Sequence, residues 1–442
     1  MTLESSLLFA SRLLFPRTGK KSNARKSLFG ALVCIGISLV PLVVVLTVSN
    51  GMIKGITDRM IGLSSSHIQL VLYPSSEYSQ SAVSLKNLSE SIKMYDDNVK
   101  NVFPELQGIG LVSSKEGRFG ASIRAVENDI FEKNESFKNL FEVLDGTTDL
   151  SSKNTCVLGK KLSENLGVKA GSTIRLITTK ENASGKTLPK ITSLKVSGIV
   201  SSGYQELDAL WLFVSLESGF TLISSSSASA VLGIETNDAF SVDLEKTYRT
   251  LSPLLSSSGR LYRWNDLNTA QYENFASTQI MLIFIMFLIV LVASVNISSA
   301  LVMLVIERKK EIAILKSLGA SQKGIALAFI VTGGVTGFFG LLFGLPAGLL
   351  ASVHFSSLMT AIEAVVNFFF KIFYYVTDGN LSNYVTVHLL DEAFYLQNIP
   401  VIIPAKEIAL IAAGTIVLSL LVSVLPAIKA GKEKPIETLR KI

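Results

Sequence analysis

The sequence predicts an α-helical membrane protein with four transmembrane helices and a large α+β domain inserted between the first and second spans. Of its 442 residues, 48% are apolar and only 17% are charged, whereas soluble proteins carry about 25% charged residues. Four runs contain no Asp, Glu, Lys or Arg, and each exceeds the roughly 20 residues that cross a hydrocarbon core. The runs are Ser27 to Ile53, Asn274 to Ile306, Gly324 to Ile362 and Ile408 to Ile428.

The order of these runs divides the chain into nine predicted segments. They are a cytoplasmic amphipathic segment (1–27), span one (28–53), an external α+β domain (54–273), span two (274–306), a cytoplasmic helix (307–323), span three (324–354), an external segment with an amphipathic helix (355–407), span four (408–428) and a cytoplasmic tail (429–442). A fifth apolar run, Met359 to Val376, is interrupted by Glu363 and Lys371. It is therefore predicted to lie at the outer membrane surface.

The distribution of charge predicts the orientation in the membrane. Residues 1–26, 307–323 and 426–442 together contain 16 Lys and Arg against 5 Asp and Glu, and the rest of the chain contains 25 basic and 30 acidic residues. Basic residues near spans are retained in the cytoplasm. Both termini are therefore predicted to be cytoplasmic, and the pI near 9.0 reflects topology and does not indicate nucleic-acid binding.

The segment after the second span changes abruptly from apolar to charged. Glu307, Arg308, Lys309, Lys310 and Glu311 arrive together, and an apolar stripe of Ile312, Ile314, Leu315 and Leu318 follows. A helix of this kind cannot stay in hydrocarbon. It suits docking into a groove of a cytoplasmic protein, although anchoring at the lipid headgroups would explain the same charges.

The external segment has a mixed α and β pattern. His67 to Tyr73 alternates like a strand, and Leu85 to Lys100 is predicted to be helical. Cys156 to Leu158 precedes a short helix, Lys160 to Leu166, which Gly167 caps. Gly171 to Thr178 and Ser193 to Val200 are predicted strands, joined by a long polar loop, Thr179 to Thr192. That loop is either a flexible connection or a hook that binds a partner.

The sequence contains no recognisable catalytic or metal site. Gly185, Lys186 and Thr187 match the end of a phosphate-binding loop, but Lys180 occupies the position of its first glycine, so that motif fails. The three histidines, His67, His354 and His388, are far apart, which argues against a histidine metal site or triad. The chain is therefore predicted not to be an enzyme and to bind no cofactor.

The third span carries glycines at helical spacing. Gly333, Gly337, Gly340, Gly344 and Gly348 fall mostly four residues apart, which predicts one face where another helix packs closely. In the second span Asn296 is polar and deep. It is expected to form an interhelical hydrogen bond or to contact substrate.

Three stretches carry a family resemblance over nearly the whole chain. They are SNGMIKGI from Ser49, VNISSALVMLVIERKKEIAILKSLGAS from Val295, and LPAIKAGKEKPIETLR from Leu425. The last resembles the ending PA-x-x-A-x-x-x-x-P-x-E-x-LR, matched by Pro426, Ala427, Ala430, Pro435, Glu437, Leu439 and Arg440. With one span, a large external domain and three further spans, the chain resembles the permeases of type VII ABC systems, and among them the lipoprotein-releasing permeases of the LolC/LolE type.

The resemblance implies a role for each region of the chain. It makes the segment Glu307 to Ala320 the coupling helix that seats in a separate ATPase, with Glu307, Arg308, Lys309, Glu311, Leu315, Leu318 and Gly319 as its contact residues. It implies a second permease subunit, a LolD-like ATPase that binds ATP and magnesium, and a LolA-like periplasmic carrier. The Thr179 to Thr192 loop occupies the place where one member of the permease pair projects a hook towards that carrier.

The resemblance also implies the transported substrate. It would be a triacylated lipoprotein taken from the outer leaflet of the inner membrane, and membrane lipid would surround it. A cavity between the first and second spans of the two permeases is expected. Helix depth places Val44, Leu46, Met281, Phe284, Leu288 and Asn296 on its walls, although ordinary contact with lipid or another helix would explain these residues equally well. Gly337, Gly340, Gly344 and Gly348 would serve helix packing. Two alternatives stay open: a permease like that of cell division, which activates a cell-wall hydrolase, and a MacB-like efflux permease.

Overall fold

The computed structural model describes residues 3–14, 23–181, 187–225, 227–377, 386 and 400–434. It divides into two compact units. Among the described residues, the membrane unit comprises those up to 51 and from 275 onwards, and the sheet unit comprises those from 52 to 274.

Fifteen α-helices lie in the described residues. They are α1 (Leu3–Leu14), α2 (Asn23–Met60), α3 (Ala82–Lys93), α4 (Ile130–Lys133), α5 (Glu135–Leu140), α6 (Lys160–Leu166), α7 (Gln205–Asp208), α8 (Leu216–Leu222), α9 (Val242–Leu255), α10 (Trp264–Leu267), α11 (Thr269–Glu307), α12 (Lys309–Ser317), α13 (Gln322–Val353), α14 (Phe355–Thr377) and α15 (Ala405–Lys432). A π-helical turn, Ile61–Ser65, extends α2, and a short 3₁₀ helix spans Glu77–Ser79.

Ten strands lie in the described part of the chain. They are β1 (Ile68–Leu72), β2 (Val99–Ser113), β3 (Arg118–Val126), β4 (Glu142–Gly146), β5 (Thr155–Gly159), β6 (Thr173–Glu181), β7 (Thr187–Ser201), β8 (Trp211–Ser215), β9 (Ser229–Thr236) and β10 (Gly259–Arg263).

The membrane unit is built from long apolar helices. Five described helices are long and apolar enough to cross a membrane: those at Lys26–Ser65, Thr269–Glu307, Gln322–Val353, Phe355–Phe373 and Ala405–Lys432. The fourth differs from the others because none of its most apolar stretch is buried in the protein. Helices α2 and α13 continue through Pro41 and Pro346, so neither proline ends its helix.

Helix α1 is amphipathic and packs on the membrane unit. Ser6, Ala10 and Leu13 are buried and follow one another at helical spacing, so they share a face. Phe9 meets Phe329 of α13 edge to face, with ring centroids 6.4 Å apart. The amphipathic character predicted for the N-terminal segment is thus present in residues 3–14.

The sheet unit contains one mixed sheet in the order β10, β1, β9, β2, β3, β8, β5, β7, β4, with β6 pairing to β2 and β7. Most neighbours are antiparallel, while β3 with β8 and β5 with β7 are parallel. Apolar side chains from the strands and from α3, α6, α8 and α9 form its main core. The mixed α and β content predicted for this segment is observed.

Local signals located several elements of this unit correctly. The predicted strand at His67 to Tyr73 is β1, and the predicted helix Lys160 to Leu166 is α6. Gly167 adopts a left-handed conformation with φ of 62° and ends α6, a conformation that glycine adopts without steric cost.

Two predictions in the sheet unit were wrong. The helix predicted at Leu85 to Lys100 ends at Lys93, and strand β2 already begins at Val99. The loop predicted at Thr179 to Thr192 is largely a continuation of the hairpin, in which Glu181 pairs with Thr187. This loop contains Pro189, and proline is rare inside sheets, although it is tolerated at a free edge. The hairpin tip, with Gly185 and Lys186, lies outside the described residues.

Candidate coupling segment and outer groove

The coupling segment is a distinct helix with defined ends. Arg308 interrupts the helical path between α11 and α12, with φ of −94° and ψ of 13°. At the other end Gly319, with φ of 94°, donates its N–H to the Lys316 carbonyl, and Ala320 donates to that of Leu315. This pair of bonds is a Schellman motif. Ser321 then caps α13 by accepting from Gly324 N at 3.2 Å.

Helix α12 has one buried face and one exposed face. Ile312 and Ala313 are fully buried, and Ile312 belongs to the core of the membrane unit. Leu318 is 80% exposed and Ile314 is 50% exposed, whereas Leu315 is half-buried. The exposed apolar pair is therefore Ile314 and Leu318. Both belong to the apolar stripe in the sequence, but the contact residues expected from the resemblance included Leu318 and not Ile314, since an unbroken stripe does not reveal which side faces the bundle.

Charged side chains attach α12 to the end of α15. Lys316 Nζ donates to the carbonyl oxygens of Gly431 at 2.8 Å and Glu433 at 2.6 Å. Lys309 Nζ lies 2.7 Å from Glu433 Oε1, and Arg308 pairs with Glu311. A lysine at a helix C-terminus satisfies unpaired carbonyls and favours the helix dipole. Lys309 and Arg308 are thus engaged within the chain, and displacement of α12 would also displace α15.

The glycines of α13 face two different helices. A Cβ built at Gly337 would lie 2.5 Å from Ser419 Oγ of α15, and one at Gly333 would meet Ser423. Further along, a Cβ at Gly344 would lie 2.8 Å from the carbonyl oxygen of Gly36 in α2. Gly340 and Gly348 face Ile35 and Val43 of the same helix. Any larger residue would therefore collide with α2 or α15.

An apolar groove lies where the first part of α11 faces the first part of α15. Its volume is about 370 Å³, and its lining is Leu46, Ile280, Ile283, Phe284, Met286, Phe287, Val290, Glu407, Leu410, Ile411, Gly414, Thr415 and Leu418. The hydroxyl of Thr415 donates to the Ile411 carbonyl at 2.8 Å. Its hydrogen bond is therefore satisfied within α15, which leaves Glu407 as the charged group of the lining.

The predicted cavity residues separate into two groups. Leu46 and Phe284 line the groove, whereas Val44, Met281, Leu288 and Asn296 do not. Met281 and Leu288 are exposed, 64% and 44% respectively, on a face of α11 beside the groove. Asn296 donates from Nδ2 to Cys34 Sγ at 3.0 Å, which joins α11 to α2. That contact is of the interhelical kind expected for Asn296.

A buried ion pair holds the end of α2 to the sheet. Arg124 of β3 forms two hydrogen bonds of 2.6 Å with the Glu105 carboxylate of β2 and also donates to the Leu63 carbonyl in the π-helical turn. Its guanidinium carbon lies 4.6 Å from the Trp211 ring centre and 5.4 Å from that of Phe213. These contacts fix the backbone of the π-helical turn that follows α2.

His67 lies just before β1, where its surroundings favour the neutral ring. Its Nδ1 accepts from the Thr236 backbone N–H at 3.1 Å. Burial lowers the His67 pKa below its usual 6.5, and nearby Lys100 lowers it further, while Asp238 opposes the shift. An Nδ1 that accepts from a backbone donor cannot also carry a proton.

Several predicted features lie outside the described residues. They include the hairpin tip, most of the segment 378–399, and the C-terminal motif residues Pro435, Glu437, Leu439 and Arg440. Within the described ranges, no group of three or more His, Cys, Asp or Glu side chains could hold a metal ion.

Two protein-family models match the chain. A MacB-like periplasmic core domain matches residues 28–245, and the C-terminal part of an FtsX-like permease matches residues 283–435. The matches fall on both units and leave residues 1–27, 246–282 and 436–442 outside.

Relatives similar over nearly the full length are transmembrane proteins of lipoprotein-releasing systems. A LolC from Neisseria meningitidis is 26% identical over 435 residues, which cover 95% of this chain and 96% of that protein. A LolC from Xylella fastidiosa is 24% identical over 427 residues, and a LolE from Haemophilus influenzae is 23% identical over 429 residues. Both cover 95% of this chain and 96% of the relative.

These matches agree with the long apolar helices and with the separate sheet unit. They indicate a multi-pass protein of the inner membrane with a periplasmic α+β domain, in a family of ABC permease subunits. The chain therefore belongs to the family of FtsX-like permeases that carry a MacB-like periplasmic core domain, and within it to the LolC/LolE type.

Proposed function

We propose that this chain is the permease subunit of an ATP-driven complex that extracts lipoproteins from the outer leaflet of the inner membrane and passes them to a periplasmic carrier. The observation that carries the proposal is the similarity to LolC and LolE relatives over 95% of the chain. In this proposal the chain itself is not catalytic, a LolD-like partner binds ATP and magnesium, and a second permease completes the membrane part.

The proposed topology has four spans and cytoplasmic termini. Helices α2, α11, α13 and α15 cross the membrane, and α14 lies at the outer surface. In α14, Ser356, Thr360, Glu363, Asn367 and Lys371 recur every three or four residues, so they share one polar stripe. Such a helix suits an interface between water and lipid. A cysteine at Lys310 should react only with membrane-permeant reagents, and one at Lys138 should react from outside. External labelling at Lys310 would contradict this topology.

The proposed ATPase contact is the exposed face of α12. Leu318 and Ile314 are apolar side chains at an aqueous surface, and an apolar helix face suits a groove of a partner protein. The opposite face is anchored in the bundle core through Ile312 and attached to α15 through Lys316. A force applied by the ATPase would therefore reach α11, α13 and α15 together.

Replacing Ile314 and Leu318 together by Asp tests this contact. Both changes put charge into an apolar interface, which should reduce ATPase binding by several kcal/mol, while membrane insertion should persist. The control carries Asp at Met94 and Val242, which are 85% and 78% exposed in the sheet unit, and it should bind the ATPase normally. Normal co-purification of the ATPase with the Ile314 and Leu318 variant would contradict the assignment.

The proposed substrate surface is the exposed face of α11 with the adjoining part of α2. One face of α11 carries Met281, Phe284 and Leu288, which are exposed in the single chain. A second permease and the acyl chains of a lipoprotein could cover this face. Each buried methylene contributes about 0.8 kcal/mol. Three acyl chains therefore hold a lipoprotein too strongly for spontaneous release, which accounts for the need for ATP.

Depletion of this permease tests the function as a whole. Outer-membrane lipoproteins should then remain in the inner membrane, as measured by membrane fractionation. Purified complex in lipid vesicles should release them only when ATP and a carrier are both present. An activator of a wall hydrolase would instead give chained cells, and an efflux permease would give drug sensitivity, each with normal lipoprotein sorting. An unchanged lipoprotein distribution would overturn the proposal.

A further inference from the structure

The groove between α11 and α15 has the dimensions of a ligand site. Its volume of about 370 Å³ falls within the roughly 300–1,000 Å³ of ligand pockets. Three lining residues, Ile280, Phe284 and Leu410, are more than 60% exposed. The groove therefore opens towards the surroundings of the membrane unit, where hydrocarbon chains are the available occupants.

Gly414 keeps the middle of the groove empty. A Cβ built on this residue would meet no atom within 4 Å. The glycines of α13 are different, because added carbons there would collide with a neighbouring helix. Gly414 thus does not serve close packing, and it leaves space along α15 for a chain-like occupant.

One end of the groove is polar. A smaller pocket shares Leu46, Ile283, Met286 and Glu407 with the groove and adds Ser49, Asn50 and Gln279. Gln279 Nε2 donates to Asn50 Oδ1 at 2.8 Å, which holds α11 to α2 at this end. An occupant would therefore place a hydrocarbon chain along the groove and a polar head against this end.

The charged residues at the polar end indicate which lipid head group fits there. Glu407 is half-buried in the lining, and within the described part of the chain no hydrogen bond or ion pair engages its carboxylate. Lys406 beside it is exposed. A carboxylate next to a lysine complements a zwitterion, since the carboxylate can bind an ammonium group while the lysine binds a phosphate.

The groove lies beside the proposed lipoprotein surface and shares Phe284 with it. Ile280, Ile283, Phe287 and Val290 point towards α15, whereas Met281 and Leu288 lie on the neighbouring face of α11. Phe284 lies at the border and contributes to both. A bound lipid in the groove could remain in place while a substrate passes along the other face.

We infer that this groove binds one acyl chain of a membrane phospholipid whose head group carries a primary ammonium, as in phosphatidylethanolamine, with Glu407 as the partner of that ammonium. The bound lipid would fill the gap between α11 and α15 at the outer end of the bundle. The inference does not depend on which substrate the complex transports.

The test measures lipid bound to the purified complex after exchange into vesicles of equal phosphatidylethanolamine and phosphatidylglycerol. Gly414→Phe should fill the groove and lower the bound phosphatidylethanolamine by about tenfold. The control is Gly30→Phe, since a Cβ at Gly30 also meets no atom within 4 Å but lies outside the groove. This variant should retain the lipid. Glu407→Gln should keep bound lipid yet reduce the preference for phosphatidylethanolamine by about fivefold.

A photo-crosslinking residue at Leu410 identifies the occupant directly. Attachment of phosphatidylethanolamine would support the inference. Attachment of a lipoprotein or of the second permease would overturn it, because the groove would then belong to the substrate path or to a subunit interface. Unchanged lipid binding in Gly414→Phe, or an unchanged head-group preference in Glu407→Gln, would overturn it as well.

Discussion

The membrane unit and the sheet unit are each stabilised internally by a different kind of contact. Within the membrane unit, α13 approaches α2 and α15 most closely where it has no side chain at all, as at Gly344 and Gly337. Within the sheet unit, Arg124 forms a buried ion pair with Glu105, surrounded by aromatic rings, and donates to the Leu63 carbonyl in the turn after α2.

The difference follows from the two solvents. In lipid, burying an apolar side chain against another helix gains little, so helices depend on close van der Waals contact, which small residues permit. In water, apolar burial already stabilises the sheet, and a buried ion pair contributes orientation more than stability. The two regions should therefore respond differently to substitution.

The largest effect is expected at the ion pair. Arg124→Met would leave the Glu105 carboxylate buried and unpaired, at a cost of about 3–5 kcal/mol in the free energy of unfolding. Chemical unfolding followed by tryptophan fluorescence can measure it, since Trp211 lies 4.6 Å from the guanidinium. Arg118→Met, at the exposed start of the same strand, should change stability by less than about 0.5 kcal/mol.

A second variant separates charge burial from lost packing. Combining Glu105→Gln with Arg124→Met removes the uncompensated charge and should recover part of the stability. Equal stability of wild type and Arg124→Met would mean that the pair does not anchor the end of α2.

A smaller effect is expected from overpacking the helices. Gly344→Leu would drive a side chain into the Gly36 backbone and should destabilise the membrane unit by about 1–3 kcal/mol. Gly414→Leu makes the same chemical change where nothing lies within 4 Å, and it should be tolerated. The two variants are compared by heating each in detergent and measuring how much monodisperse protein remains. Equal losses for both variants would mean that glycine content, and not close approach, determines the stability of the bundle.

The smallest effect is expected from His67 as the pH falls. Because the pKa of His67 is lowered in the folded protein, the unfolded chain binds the proton more readily. Its contribution to stability is complete above about pH 6.5 and is lost as the pH falls towards the folded-state pKa. His67→Gln keeps an acceptor for Thr236 and removes the titration. Unfolding between pH 5 and 8 should therefore show a shallower pH dependence in this variant, and an unchanged slope would exclude His67 as the cause.

Features specified by neighbouring residues could be predicted from the sequence. Helix α6 and its Gly167 cap were correct because a strand, a short helix and a left-handed glycine follow one another directly. The β6–β7 hairpin was wrong in length because pairing between Glu181 and Thr187 depends on its partner strand, while Pro189 and the polar residues locally favour a loop.

Features that depend on helix rotation or on distant contacts could not be predicted. The sequence analysis placed Leu46 and Phe284 in a cavity but could not tell which side of α11 faces α15. It therefore missed Glu407 and Gly414, although Glu407 immediately precedes the fourth charge-free run. The pairing of Arg124 with Glu105 has no local signal, since it requires β2 and β3 to lie side by side.

The β6–β7 hairpin leaves part of β7 open to pairing with a strand of another molecule. Residues 187–194 of β7 pair only with β6 among the described strands, so their other edge is free. Such an edge can recruit a strand from another molecule. Pro189 offers no N–H there, which discourages strand addition. Pro189 therefore limits strand addition along this part of β7.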